Sequence, residues 1–355
     1  MEALRLIEVN KLVFEQDASI PRLGADEVLV KVMAAGVCGS DYGRVFSLGA
    51  HTLPIILGHE FSGLVEAVGP EVREDLAGRR IVVTPLIPCR TCEWCRRGEY
   101  SLCDAYGFIG SRRDGAFEQY VAVPASALQV IPDTMTYAEA AVVEPTACML
   151  HAMYRGPSIM GRTVCISGAG PIGLLGVQYA KASGASEVVC VDIIEKKLEL
   201  ARRLGADKTV NLSESDLVPA GLSATDGRGF DFTFETTGNP NVQNGVIQTS
   251  AKLGSVVYFG FSGNGLTLND ESLDRILRAE VTLTGAWNSY STGFPGREWQ
   301  TAIDMIADHR IDVSAVVSHI LPLEEAPSFF EKVRTHQIEH GKVLFAPWGI
   351  EGAQL

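Results

Sequence analysis

The segment that most constrains the fold is "TVCISGAGPIGLLGVQYA", in which a short apolar strand leads into a glycine-rich turn and then a helix. A Gly-x-Gly-x-x-Gly turn alone is a weak signal, but here further strand candidates alternate with helical stretches. The candidates are residues 163–167, 188–192, 208–212, 230–236, 255–261 and 281–287. Six strands with crossover helices predict an α/β fold with a doubly wound, parallel, six-stranded Rossmann sheet.

The same turn predicts a dinucleotide-binding site. Gly168 permits the tight turn, Gly170 lets a pyrophosphate approach the backbone, and Gly173 lets the helix pack closely on the strand. The helix then begins at Pro171 and Ile172, and its N-terminus receives the negative phosphates.

Asp192 ends the second strand candidate, 19 positions after Gly173. This is close to the spacing of about 20 residues expected for the acid that binds the ribose. Its carboxylate can accept hydrogen bonds from both ribose hydroxyls and would repel a 2′-phosphate, so the sequence favours NAD over NADP. A glycine turn in another kind of α/β protein is the alternative, and the strand context argues against it.

The N-terminal part of the chain has a different character, because short β segments separated by glycine-rich turns predict an irregular, mostly antiparallel β barrel. After the last strand candidate the pattern changes again, to a helix at 298–310 and a closing strand at 341–347. We therefore expect one domain from 1–148 and 289–355, and a dinucleotide-binding domain at 149–288.

The segment "PCRTCEWCRRGEYSLC" holds four of the chain's eight cysteines: Cys89, Cys92, Cys95 and Cys103. Disulfides would need an oxidising compartment, which nothing in the sequence supports. The last gap of seven residues, with no proline after it, does not match iron–sulfur spacing. A closed structural zinc site of four thiolates remains, and it would hold a polar loop that has no apolar core. The alternative, free surface thiols, would leave several reactive sulfurs exposed.

Charge and the N-terminus limit the partners. The formal net charge is −13, which disfavours nucleic acid or an anionic membrane as a partner. No basic segment followed by a long apolar run opens the chain, and there is no apolar stretch of about 18 residues. We therefore expect a cytoplasmic protein that acts on a small molecule, with no membrane or nucleic-acid partner.

Three further motifs point to a reactive metal site: "GVCGSD" with Cys38 and Ser40, "LGHEFSG" with His59 and Glu60, and "VVEPTACMLHA" with Glu144. Alone, each fits a buried cysteine, a hydrogen-bonded histidine or a helix-capping glutamate. Together with the four-cysteine segment and the glycine turn, they make the chain similar to the zinc-dependent medium-chain alcohol dehydrogenases over nearly its whole length. The segments "FIGSRRDGAF" and "NSYS…PGREW" are most similar to the polyol and sugar-phosphate branch of that family.

The resemblance implies a GroES-like catalytic domain in which Cys38, His59 and a carboxylate bind a catalytic zinc and leave one position open for the substrate oxygen. In the polyol branch this carboxylate is Glu144 or Glu60. We expect Glu144 to bind the metal, and Glu60 to exchange in or to hydrogen-bond to the metal-bound water. The resemblance also implies two zinc ions per chain and a homodimer or homotetramer.

The activity that it implies is hydride transfer between NAD and a secondary alcohol of a polyol or polyol phosphate, in the cleft between the two domains. Zinc lowers the pKa of the alcohol, Ser40 accepts its proton, and the nicotinamide takes the hydride. Many members carry a relay histidine five residues after the zinc cysteine, where this chain has Gly43. The proton must then leave by another route: through Ser40 to water, to Glu60 or to the cofactor ribose.

Three arginines are candidate phosphate ligands in this acidic chain: Arg44, Arg112 and Arg113. The planar guanidinium suits phosphate because it donates two parallel hydrogen bonds. The alternative is that "SRRDG" is a solvated turn in which one arginine pairs with Asp114.

The segment "AWNSYS", which contains Trp287, would supply Asn288 and Tyr290 to the polyol hydroxyls. Other substrates stay open: a free polyol, an amino alcohol derived from a cyclitol, or L-threonine. A zinc-free quinone or enoyl reductase of the same fold would lack Cys38 and His59. A non-catalytic cofactor-binding protein would have little reason to keep them.

Overall fold

The computed structural model describes residues 1–261, 263 and 265–353. Positions 262 and 264, in the predicted dinucleotide-binding domain, and 354–355, in the predicted catalytic domain, lie outside the described residues. The chain divides into two compact units. The first consists of Met1–Pro145, Tyr290–Ala307 and Val313–Leu355, and the second of Thr146–Ser289 and Asp308–Asp312.

The strands are β1 (Ala3–Glu8), β2 (Lys11–Glu15), β3 (Glu27–Gly36), β4 (Ile55–Ile56), β5 (Glu60–Val68), β6 (Arg80–Val83), β7 (Leu86–Ile87), β8 (Gly107–Phe108), β9 (Tyr120–Pro124), β10 (Leu128–Val130), β11 (Thr163–Ser167), β12 (Glu187–Asp192), β13 (Lys208–Asn211), β14 (Phe230–Glu235), β15 (Ser250–Tyr258), β16 (Thr282–Gly285), β17 (Val317–Pro322) and β18 (Lys342–Ala346). The α-helices are α1 (Gly39–Gly43), α2 (Glu93–Arg96), α3 (Tyr137–Ala141), α4 (Val143–Arg155), α5 (Pro171–Ala182), α6 (Glu195–Arg203), α7 (Leu217–Ala224), α8 (Pro240–Gln248), α9 (Asp270–Ala279), α10 (Arg297–Ala307), α11 (Ala326–Arg334) and α12 (Ile350–Ala353).

The first unit is built on β-sheets, as predicted. Its main sheet runs β10–β6–β5–β3–β18–β17, with β9 also paired to β3. All of these pairs are antiparallel except β17 with β18. Alternate residues of β3, including Val28, Val30 and Val32, are buried, as expected for a strand with one face on a core. They pack in a cluster that also contains Phe61 and Phe345.

The second unit confirms the predicted Rossmann fold. In its described part, six strands form one sheet in the order β13–β12–β11–β14–β15–β16, and every pair is parallel. The helices between them supply the crossovers that a parallel sheet requires. The carboxyl ends of β11 and β12 therefore lie at the same edge of the sheet, where a dinucleotide is expected to bind.

Most strands of this sheet lie within one or two residues of their predicted bounds, and one differs by more. The expected strand at 255–261 begins earlier, at Ser250, and ends at Tyr258. Ser250 pairs with Phe230 before the regular ladder begins, and both residues are fully buried. Phe261, which extended the apolar run in the sequence, is instead largely exposed.

In the part of the chain that the structure describes, no helix is both long enough and apolar enough to cross a bilayer.

Candidate active site and metal centres

The four clustered cysteines bring their sulfurs together. Their Sγ atoms lie within 4.8 Å of one another in the set Cys89, Cys92, Cys95 and Cys103. The Cys89–Cys95 and Cys92–Cys103 sulfur pairs are each 3.9 Å apart. Tetrahedral zinc with Zn–S bonds of about 2.3 Å requires sulfurs about 3.8 Å apart. All four are free cysteines, so both the donor set and its spacing fit a zinc ion.

Backbone amides of the same loop point at these sulfurs. Cys92 N donates to Cys89 Sγ at 3.4 Å, Cys95 N to Cys92 Sγ at 3.4 Å, and Cys89 N to Cys103 Sγ at 3.3 Å. Hydrogen bonds, first from the Thr91 side chain, lower the pKa of Cys89 to about 6, whereas burial raises that of Cys95 to about 12. A cation among the four sulfurs would hold all of them as thiolates.

A second cluster forms where β3 and β5 pair. Cys38 follows the end of β3, His59 precedes β5, and Glu60 begins it. The two strands pair so that Gly36 lies opposite Glu60, which brings residues some twenty positions apart in sequence side by side. The ligand atoms of Cys38, His59 and Glu60 lie within 4.8 Å of one another.

This cluster has the character of a metal site. His59 and Glu60 are buried, and among the described residues His59 Nδ1 has no hydrogen-bond partner. Burial, assisted by the negative charge of Glu60, raises the pKa of Cys38 to about 11. A thiolate, an imidazole and a carboxylate form a donor set that suits Zn²⁺, and a cation would relieve the cost of burying them.

Glu144 lies near this cluster, at the start of α4, and is buried. Burial raises its pKa to about 8, an effect that His59 opposes and Glu60 reinforces. Among the described residues it is Glu60, not Glu144, that has a carboxylate oxygen within 4.8 Å of the ligand atoms of both Cys38 and His59. The role of Glu144 as a zinc ligand stays a prediction.

Lys342 was not anticipated from the sequence. This residue begins β18 and is only 4% exposed. Its Nζ donates to both carboxylate oxygens of Glu60, at 2.8 and 2.6 Å, and to Val37 O at 3.0 Å. Burial alone would lower the pKa of Lys342, but the charges of Glu60 and Cys38 raise it above its usual value. The available signal was a lysine in the otherwise apolar strand "GKVLFAP".

Ser40, the predicted proton acceptor, lies on α1 and is exposed. Its Oγ accepts a hydrogen bond from Arg44 Nη1 at 2.5 Å. The adjacent Asp41 is fully buried, accepts from Cys38 N at 3.0 Å, and has its Oδ1 3.8 Å from His59 Nδ1. Asp41 is a second residue that the sequence reasoning missed, although it stands in the "GVCGSD" motif.

The three candidate arginines have different surroundings. Arg113 donates to Glu27 and to Ala122 O, both at 2.8 Å, which ties it to the sheet. Arg112 lies over the Tyr106 ring, 4.6 Å from its centroid. Arg44 is held by Ser40 and Asp41.

The charges of two of these arginines act on the pKa of His51. Partial desolvation of its ring, and then the positive charges of Arg112 and Arg44, lower the pKa of His51. His51 N also donates to Ser111 O at 3.3 Å, next to Arg112. His51 therefore lies beside the segment that carries Arg112, and the charges of Arg112 and Arg44 both act on its ring.

The residues predicted to contact polyol hydroxyls belong to different units and differ in their burial. Tyr290 is buried, its Oη accepts from Leu86 N at 3.0 Å, and its ring stacks on Phe294 and Trp299. Its hydroxyl is thus engaged in packing of the first unit.

The two neighbouring candidates belong to the second unit. Trp287 is 57% exposed. Asn288 has a positive φ of 58°, and among the described residues its buried Nδ2 has no hydrogen-bond partner.

The glycine turn of the second unit has the geometry expected of a phosphate-binding turn. Gly168 has a φ of 98°, in a region that favours glycine. A Cβ on Gly173 would lie 1.8 Å from Gly168 O, so only glycine fits there. A Cβ on Gly170 would meet nothing within 4 Å, which leaves open space beside the backbone where α5 begins at Pro171.

Asp192 lies at the carboxyl end of β12, next to this turn. Its Oδ2 accepts from Ala169 N at 2.6 Å, and its Oδ1 accepts from Ile193 N at 2.8 Å and Ile194 N at 3.0 Å. These bonds fix the carboxylate at the turn. Oδ1 already accepts two hydrogen bonds, whereas Oδ2 accepts one and keeps a lone-pair site for a ribose hydroxyl.

Comparison with known proteins identifies the family of the chain. Residues 24–133 match the alcohol dehydrogenase GroES-like domain, and residues 171–308 match the zinc-binding dehydrogenase family. Galactitol 1-phosphate 5-dehydrogenase of Escherichia coli (strain K12) is 37% identical over 324 residues, which cover 91% of this chain and 93% of that protein. The chain belongs to the zinc-binding alcohol dehydrogenase family.

Solved structures of this family are similar over almost the whole chain. The crystal structure of galactitol-1-phosphate dehydrogenase from Escherichia coli has a TM-score of 0.93 and 34% identity, and covers 98% of this chain and 100% of that one. A protein from Sinorhizobium meliloti 1021, solved with bound NADP, has a TM-score of 0.89 and 33% identity, with 98% and 99% of the two chains covered. This zinc-binding dehydrogenase is therefore an oxidoreductase that uses a nicotinamide dinucleotide and acts on a small molecule.

Proposed function

We propose that this dehydrogenase transfers a hydride between NAD and a secondary alcohol of a polyol phosphate similar to galactitol 1-phosphate, giving a ketose phosphate. The observation that carries the proposal is the set of Cys38, His59 and Glu60 at the ends of β3 and β5. His59 and Glu60 are buried, Cys38 is half-buried, and their donor atoms suit a catalytic zinc. The relative's galactitol 1-phosphate activity supports the substrate class.

In this proposal Cys38, His59 and Glu60 hold the catalytic zinc, with Glu144 as an alternative carboxylate. When bound, the zinc supplies Lewis-acid chemistry that lowers the pKa of an alcohol, and the NAD supplies the hydride acceptor. Lys342 keeps Glu60 in place and balances its charge. Ser40 receives the proton of the alcohol.

The remaining assignments follow the same division of the chain. The four-cysteine loop holds a structural zinc and belongs with the catalytic part, residues 1–148 and 289–355. Residues 149–288 bind the dinucleotide through the glycine turn.

NAD is the proposed cofactor because of Asp192 and its neighbours. A carboxylate fixed at the turn repels a 2′-phosphate, and Ile193, Ile194 and Glu195, which follow it, supply no positive charge. Asp192→Ala should therefore weaken the preference for NAD over NADP, measured as the ratio of the two kcat/KM values. A wild-type preference for NADP would contradict this assignment.

For the phosphate group, Arg112 is the best-supported ligand. Arg113 is engaged by Glu27, whereas the guanidinium of Arg112 rests on an aromatic ring beside His51. Among the described residues no carboxylate lies within ion-pair distance of Arg112. A guanidinium held by a ring and not by an acid can present its fork to a phosphate.

The experiment compares galactitol 1-phosphate with galactitol, by NADH formation, in wild type, Arg112→Met and the control Arg73→Met. Arg73 is an exposed arginine that pairs with Asp75. Wild type should prefer the phosphorylated substrate, and Arg112→Met should lose about tenfold or more of that preference because a charged hydrogen bond is removed. The control should keep it. Equal kcat/KM for both substrates in wild type would contradict phosphate recognition and indicate a free polyol.

We infer that the chain works as a homodimer or homotetramer in the cytoplasm. Strand β16 is an edge of the parallel sheet, and exposed leucines lie on it and on α9: Leu283, Leu273 and Leu277. Such an apolar edge is typical of a face covered by another copy. The reduced cysteines that zinc requires favour a reducing compartment. Light scattering tests the oligomer, and a monomer at micromolar concentration would contradict it.

A further inference from the structure

Arg44 is placed to act on the proton-accepting serine. It directly follows α1, the helix that carries Ser40 and Asp41. Its Nη1 donates to Ser40 Oγ at 2.5 Å and to Asp41 Oδ1 at 3.1 Å. One guanidinium nitrogen therefore links an exposed hydroxyl to a fully buried carboxylate.

The guanidinium is held firmly. The Arg44 side chain is only 19% exposed, and its partner Asp41 is itself fixed by the hydrogen bond from Cys38 N. Because Asp41 lies on the same turn as Cys38, the position of Arg44 is set by the segment that carries the proposed zinc cysteine. The direction from which Ser40 Oγ receives its hydrogen bond is therefore set as well.

This arrangement constrains the Ser40 proton, for which the Cys38 sulfur is also a partner, since a side-chain hydrogen bond from Ser40 acts to lower the pKa of Cys38. An arginine has no acceptor and stays protonated, so Ser40 cannot donate to it and Arg44 cannot carry the proton itself. The Ser40 hydroxyl proton must point away from Arg44, and the remaining lone pair of Oγ is free for an incoming proton. Because the guanidinium lowers the basicity of Oγ, Ser40 accepts the alcohol proton only as it releases its own, and the positive charge of Arg44 favours that release.

We propose that Arg44 is a positioning residue that orients Ser40 for proton acceptance and compensates for the absence of a histidine at Gly43. The inference rests on the proposed function, in which Ser40 receives the alcohol proton. The alcohol O–H bond breaks, an O–H bond forms on Ser40 Oγ, and the proton that Ser40 carried passes to water. The electron pair of the alcohol C–H bond leaves with the hydride to NAD, so the step balances as one oxidised alcohol, one reduced NAD and one released proton. Because Ser40 is exposed, water is the exit that this geometry favours.

The test uses a double-mutant cycle on the zinc-loaded enzyme with Arg44→Met, Ser40→Ala and the double variant. Arg44→Met should lower kcat by about tenfold or more, with a much smaller change in KM, because a charge-assisted contact to the reacting serine is lost. It should also raise the solvent deuterium isotope effect on kcat, since proton transfer becomes slower. In the Ser40→Ala background the same change should alter kcat by less than about twofold, as expected for two residues that act as a unit.

Two measurements separate this role from a structural one. Zinc per chain and the affinity for NADH, measured by fluorescence, should be unchanged in Arg44→Met.

Arg44→Lys keeps a positive charge for Asp41, should keep the fold, and should recover part of kcat. It also allows the test if the methionine variant does not fold. Arg73→Met is the matched control, an arginine paired with an aspartate on the surface.

The outcomes are distinguishable. No turnover of any secondary alcohol by wild type would overturn the proposed function and this inference with it. Turnover by wild type with unchanged kcat in Arg44→Met, or equal losses with and without Ser40, would overturn the inference alone. A rise in KM confined to phosphorylated substrates would instead make Arg44 a phosphate ligand and would overturn the positioning role.

Discussion

Lys342 is a buried cation that compensates the negative charge of the groups around Cys38 and Glu60. Half-buried Cys38 and buried Glu60 and Glu144 can each carry a negative charge, and each of them acts on the pKa of Lys342. A buried ion pair that is broken by removal of one partner leaves an uncompensated charge. Zinc would add a second cation to the same cluster, so the contribution of Lys342 should depend on the metal.

We therefore predict that Lys342→Met destabilises the zinc-free protein by about 3–5 kcal/mol, the range for a broken buried pair, and the zinc-loaded protein by less. Denaturant unfolding of both forms measures this difference. Lys252→Met, at an exposed position, is the control and should change neither form. Equal destabilisation with and without zinc would show that Lys342 does not share Glu60 with the metal.

At the scale of elements, each proposed binding function belongs to a short loop with a specific packing requirement. In the β11–α5 turn, Gly173 packs against the backbone of Gly168, whereas Gly170 borders open space. In the loop between β7 and β8, four sulfurs converge where the apolar residues are few. The turn is shaped by steric contact, and we propose that the loop is shaped by a bound metal.

Two alanine substitutions in the turn should behave differently. Gly173→Ala places a Cβ 1.8 Å from Gly168 O, so it should lower both the thermal midpoint and the affinity for NADH. Gly170→Ala should leave the midpoint within about 1 °C, because its Cβ meets nothing, but should weaken NADH about tenfold by occupying the path of the pyrophosphate. Calorimetry and fluorescence titration measure the two effects. Tight NADH binding by Gly170→Ala would refute the proposed path.

In the cysteine loop, Cys95→Ser should reduce zinc by about one ion per chain and lower the thermal midpoint, because structural zinc can contribute several kcal/mol of folding free energy. Activity should fall only as far as folding does. Cys165→Ser, a buried cysteine of the second unit, is the control and should keep the full zinc content. Fewer zinc ions with unchanged thermal stability would show that the loop does not need its metal.

At the scale of the whole molecule, the sequence predicts what is local and misses what is brought together by pairing of distant strands. Strands β11 and β12 were predictable because each contains a continuous apolar run, and β14 because apolar and polar residues alternate along it. The four-cysteine set was predictable because its spacing lies within one loop. The contact of Lys342 with Glu60 joins residues 282 positions apart, so the local sequence of β18 shows the lysine but does not identify its partner.

For Tyr290, the sequence predicts a contact with substrate, whereas the structure shows a contact within the protein. Tyr290 lies in a segment similar to the polyol branch of the family, which suggested that its phenolic hydroxyl contacts the substrate. In the structure this Oη instead accepts a hydrogen bond from Leu86 N, 204 positions away. Burial of a tyrosine depends on neighbours that the local sequence does not identify. For the same reason the sequence could not separate Arg112 from Arg113.

The central claim is that Cys38 belongs to a catalytic metal site whose function is separable from dinucleotide binding in the second unit. The most direct measurement combines zinc content, NADH affinity and turnover in Cys38→Ser. We predict that zinc falls from about two ions per chain to about one, because one of the three donors is lost. NADH should still bind with nearly wild-type affinity, and turnover should be abolished. Wild-type turnover by a variant verified to lack that zinc would contradict the claim.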